Sequence, residues 1–152
     1  MKIKFAVITL LLFAFCGPQT QAEICEEYWY LAEYELEQLE KNNKDLVRSF
    51  DLYNDDKLSE GVLYANIQEQ IDNLDDQIET FSDLTPNETN ELNHKKILRG
   101  LEDAKDGLED MQSYFEDGFG RDIEDRIEAG INYAEGVAEV LITGVVWDCP
   151  TD

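Results

Sequence analysis

Glu91-Leu92-Asn93-His94 places a carboxylate and an imidazole three residues apart. On a helix such side chains project together, which is how di-iron carboxylate bundles hold their metals. That chemistry needs a second copy of the pattern and two more inward carboxylates. The chain has one His, so no site that needs two imidazoles can be built. The expected place for His94 is the surface, beside Lys95 and Lys96, outside the apolar stripe of its helix. Haem attachment has no C-x-x-C-H. None of Ser49, Ser59, Ser82 or Ser113 sits in a G-x-S-x-G elbow, and no Gly-rich phosphate loop is present. Carboxylates are too abundant for any pair to mark a general acid and base. The expectation is a non-enzymatic protein that needs no cofactor.

Phe50 to Ser59 resembles the opening of an EF-hand calcium loop, with Asp51 in first position and Asp55 in fifth. Tyr53 replaces the third-position ligand, Asp56 the turn-forming Gly, and Val62 the bidentate Glu. The run therefore predicts a solvated interhelical turn. Asp51, Asn54, Asp55 and Asp56 could hold a divalent cation only weakly. Asn87-Glu88-Thr89 is an N-glycosylation sequon in a eukaryotic host, and its place at a helix start predicts an accessible Asn87.

Aromatic residues give the sharper binding hint. Tyr28-Trp29-Tyr30 follows Cys25, and Trp147 precedes Cys149. Both Trp are expected to pack about the two cysteines. Plotted at about 100° per residue, Tyr30 and Tyr34 fall opposite the apolar stripe of the first helix, one turn apart. Exposed Tyr is a frequent interface anchor, and Glu26, Glu27, Glu33 and Glu37 would rim this pair. Trp29, Tyr30, Tyr34, Glu33 and Glu37 are thus the candidate partner-binding residues.

The elements that must position these residues are helices, because apolar residues recur at alternating steps of four and three. The stripes are Ile24, Tyr28, Leu31/Ala32, Leu36, Leu39, Leu46, Phe50; Ile67, Ile71, Leu74, Ile78, Phe81; Ile97, Leu101, Ala104, Leu108, Met111, Phe115; and Ile123, Ile127, Ile131 or Gly130, Ala134, Ala138, Leu141, Val145. Helices are predicted near 24–50, 57–82, 86–116 and 121–146. Thr85-Pro86-Asn87-Glu88 predicts a capping box with Thr85 as N-cap. Asp117-Gly118-Phe119-Gly120 ends the third helix. Short connections make sequential helices antiparallel neighbours. The predicted fold is all-α, one up-down-up-down four-helix bundle.

Compartment follows from the first residues. Lys2 and Lys4 precede the apolar run Phe5–Phe15, and Thr20-Gln21-Ala22 supplies small residues for cleavage after Ala22. This predicts a signal peptide over 1–22 and a secreted or periplasmic domain over 23–152. The apolar run is too short to span a bilayer, so no membrane span is expected after cleavage. Cys16 would leave with the leader, and Cys25 and Cys149 would remain as one disulfide joining the two ends of the bundle. Such a large loop is worth roughly 4–5 kcal/mol by chain entropy.

The chain carries 35 acidic against 12 basic residues, a net charge of −23. Loss of Lys2 and Lys4 makes it two charges more negative. This charge repels phosphate backbones and excludes nucleic acid. The basic residues are grouped, as Lys41, Lys44 and Arg48 and as Lys95, Lys96 and Arg99. Electrostatic steering toward a basic protein or peptide is the expected function, of the inhibitor or immunity type. The alternative is a carrier of a small apolar ligand held between the helices, or of calcium at residues 51–56.

Overall fold

A computed structural model describes residues 21–116 and 123–145. They form helices α1 (Gln21–Asn54), α2 (Glu60–Asp83), α3 (Glu91–Glu116) and α4 (Ile123–Val145), with a single 3-10 turn, Glu88–Asn90, leading into α3. The chain is all-helical, and no strand occurs among the described residues.

Side-chain bonds fix the helix order around the core. Asn66 Nδ2 donates to Ser49 Oγ at 3.0 Å and Gln77 Nε2 to the Glu35 carbonyl at 2.8 Å, so α1 and α2 run antiparallel. Gln112 Nε2 donates to Gln68 Oε1 at 2.7 Å, and Lys105 Nζ meets Asp75 Oδ1 at 2.6 Å, which sets α3 antiparallel to α2. Tyr133 Oη donates to Asn43 Oδ1 at 2.9 Å, and Gly144 packs against Leu36, so α4 returns alongside α1. α1 and α3 are diagonal and their backbones stay apart.

The core contains Tyr28, Ala32, Leu39 and Leu46 of α1; Leu63, Ile67, Ile71, Leu74 and Phe81 of α2; Ile97, Leu101, Ala104 and Leu108 of α3; and Tyr133, Val137 and Val140 of α4. For α2 and α3 this is the stripe the periodicity predicts. In α4 the buried set is rotated: Ala129, Tyr133, Val137 and Val140 are buried, while Ala134 and Ala138 are exposed and Ile131 is 49% exposed.

Glycine causes the rotation. A Cβ on Gly136 would sit 2.5 Å from Ala104 N, and one on Gly107 would sit 2.5 Å from Tyr133 N. Gly100 meets Gly136 in the same way. The missing side chains let the two backbones approach far closer than ordinary helix packing allows. α4 is thereby seated on α3 and turned away from α1, which it touches sparingly.

Several predicted helix ends move, and two of the shifts bear on candidate residues. α1 continues four residues past Phe50, and Asp51 and Asn54 belong to it. Lys57 N–H reaches the Leu52 carbonyl at 2.8 Å and Asp56 N–H the Tyr53 carbonyl at 3.0 Å, the bond pair of a Schellman cap. Asp56 holds the left-handed position, at φ 58°. At the other corner the N-cap is Asn87, not Thr85: its Oδ1 accepts from Asn90 N–H at 3.0 Å. The 3-10 turn places the cap two residues later than a Pro-first helix would.

Candidate functional site

Tyr30 and Tyr34 stand on the outer face of α1 and are 74% and 57% exposed. Glu26, Glu33 and Glu37 are exposed beside them, and Trp29 is half-buried. The placement follows from the helix itself: Tyr28 and Ala32 are buried, so side chains two residues on from each point away from the core. The result is a pair of phenols one turn apart, with carboxylates around them. Such a patch can insert two aromatic rings into a cleft and set anionic groups against a cationic rim.

Carboxylates also line a trough of about 470 Å³ between α3 and α4, where Asp103, Asp106 and Asp110 face Glu135 and Glu139. Arg99 is the cation among the described residues there, 3.6 Å from Asp103. Several other cations are already engaged: Lys44 with Glu40, Lys57 with Asp55, Lys95 with Glu91 and Lys105 with Asp75. The acidic excess therefore faces outward on more than one side.

The candidate cation ligands do not converge. Asp51 and Asn54 ride on the last turns of α1, and Asp55 Oδ2 is held by Lys57 Nζ at 2.7 Å. Asp56 is spent on the cap. Among the described residues no group of three or more His, Cys, Asp or Glu side chains is arranged to hold a metal ion. The calcium-loop resemblance is thus a helix C-cap, whose acidic and amide residues suit a chain reversal.

His94 is not a surface residue. It is 8% exposed and its Nδ1 lies 2.7 Å from Tyr28 Oη. The rings meet edge to face, with centroids 5.7 Å apart. Burial, and then the Lys95 ammonium, push His94 below the usual imidazole range. Burial raises the Tyr28 phenol above its ordinary value. Both shifts favour the neutral forms of the two groups, which hydrogen-bond through Tyr28 Oη and His94 Nδ1. The signal was in the spacing: 94, 97, 101, 104 and 108 continue one step-of-three-and-four series.

Asn90 and Cys25 repeat the diagonal one turn away. Asn90 Nδ2 donates to Cys25 Sγ at 3.6 Å, and both residues are buried. Cys149 and Trp147 lie outside the described residues. Asn87 is 5% exposed and its amide oxygen is the cap, so the sequon asparagine is not presented to solvent as expected. A glycan there would have to displace a buried side chain.

Between α1 and α4 lies an apolar groove of about 580 Å³. Val47 and Phe50 form one wall, Ala134, Ala138 and Leu141 the other, and Met111 reaches in from α3. Periodicity assigned Ala134, Ala138 and Leu141 to the core; Leu141 is half-buried and packs against it, whereas Ala134 and Ala138 are exposed along this groove. No helix among the described residues is long and apolar enough to cross a membrane. The chain matches no protein-family model, and neither a curated protein nor a solved structure is similar enough to count as a match.

Proposed function

We propose that this chain is an exported, non-enzymatic binding protein that recognises a basic protein or peptide through the Tyr30–Tyr34 face of α1. The observation that carries the reading is the exposure of two tyrosines, 74% and 57%, one turn apart among Glu26, Glu33 and Glu37. A large aromatic ring left in water gains most when a partner buries it, and the net charge of −23 selects a cationic partner and speeds encounter. The leader-like residues 1–22 support export. A Cys25–Cys149 disulfide fits the same compartment, with Cys25 buried in the first turns of α1.

The test is capture from the native fluid on immobilised 23–152, eluted by a salt gradient. A basic protein should be retained at low salt and released as screening rises. Tyr30→Ala and Tyr34→Ala should each weaken binding about 30-fold, a hot-spot loss of roughly 2 kcal/mol. Leu92→Ala, at an exposed residue on α3, should leave it unchanged. Retention that ignores both salt and the tyrosines refutes the proposal.

A further inference from the structure

The groove between α1 and α4 has the composition of a ligand site rather than of this protein's surface. Nearly a third of the chain is charged, 31%, yet none of the described residues lining the groove is. Its volume of about 580 Å³ falls within the range of small-molecule sites, which are lined mostly by apolar groups with a few placed polar atoms. The polar atoms here are specific. Tyr133 Oη donates to Asn43 Oδ1, and both residues line the groove. That bond fixes the amide and leaves Asn43 Nδ2 as a donor.

The hollow is also built in. The Gly100–Gly136–Gly107 seam holds α4 against α3, and its apolar stripe is wider than the face the core covers. Gly130, Ala134 and Ala138 contribute little bulk along the α4 wall. A closed apolar core would have placed larger side chains there.

We infer that this groove binds an uncharged, largely apolar small molecule that carries one hydrogen-bond acceptor, with its body along Val47, Phe50, Met111 and Leu141 and its acceptor on Asn43 Nδ2. Among the described lining residues a carboxylate or phosphate finds no cation, and a strongly cationic ligand finds no carboxylate. The site is independent of the Tyr30–Tyr34 face, and its occupancy should not depend on salt.

The test uses the mature chain and a matched pair of fluorescent probes, a naphthalene ketone and the same ring system without the ketone. The ketone should bind one per chain, with equal affinity at low and high salt, and more tightly than its partner. Ala138→Asp and Val47→Asp each put a charge into the groove at an exposed position and should weaken binding at least tenfold. Ala134→Trp, which fills the space, should do the same. Tyr30→Ala should leave it unchanged. Three results would overturn the inference: no saturable binding; binding indifferent to all three groove variants; or a chain dimer in solution that Ala138→Asp dissociates, which would make the groove a self-association surface.

Discussion

Tyr28 Oη lies 2.7 Å from His94 Nδ1, across the diagonal of a bundle in which α1 and α3 make no backbone approach. The pair is a polar strut through an apolar core, and burial disfavours a charge on its imidazole. His94 resists protonation in the folded chain, whereas the unfolded chain takes up a proton near the ordinary imidazole value of about 6.5. Below that pH the unfolded state binds more protons, so stability falls as pH drops. His94 is the one side chain of its type, and ordinary carboxylates titrate lower. Thermal melts between about pH 7.5 and 5.5 should show a falling Tm in the wild type and a flat one in His94→Gln, even if the variant starts lower.

The glycine seam gives two opposite outcomes for one substitution. Gly136→Ala drives a methyl into the α3 backbone and should cost about 2–3 kcal/mol, as overpacking does. Gly130→Ala meets nothing within 4 Å and removes a flexible residue from a helix, so it should stabilise by up to about 1 kcal/mol. Urea denaturation of both variants measures the contrast.

Asp56 pays a backbone cost at φ 58° that glycine would not. Asp56→Gly should therefore raise stability by about 1 kcal/mol. Calcium should shift the melting temperature of neither form more than magnesium does, since the acidic turn is a cap.

At the next corner, Asn87→Ala should cost about 1 kcal/mol through loss of the bond to Asn90 N–H. Thr85→Ala, at the exposed residue the sequence nominated, should cost almost nothing. Chemical denaturation of the two variants distinguishes the caps.

Non-reducing mass spectrometry of the mature chain should show the proposed Cys25–Cys149 bridge as a mass lower by the two thiol hydrogens. Reduction should lower Tm, by roughly 4–5 kcal/mol of stability if chain entropy dominates.

How much of this was legible in the residues depended on which neighbour each helix met. The α2 and α3 stripes were, because Ile67, Leu74, Ile97 and Leu101 face the core squarely. The α4 stripe was not. Its apolar residues cover two adjacent faces, and only the approach permitted by Gly100, Gly107 and Gly136 decides which face is buried. Residue type hid His94 and Asn90, which occupy core positions of α3's entry but read as surface residues by polarity. Each became tolerable inside only because a partner on α1, Tyr28 or Cys25, meets it there. The exposed Tyr30 and Tyr34 followed from helix geometry alone, while the groove required a tertiary arrangement that no local pattern encodes.

The seam between α3 and α4 has a dynamic consequence. Two helices adjacent in sequence and interlocked at backbone distance form the most cooperative unit of the molecule, closed at small loop-entropy cost. α1 meets α4 only sparingly, across a side that the groove leaves thinly packed. Amide protons of α3 and α4 along the seam should then exchange slowest and those of α1 fastest, a gradient of local opening across one fold. The helix that carries the two exposed tyrosines would be the one most able to yield when something binds.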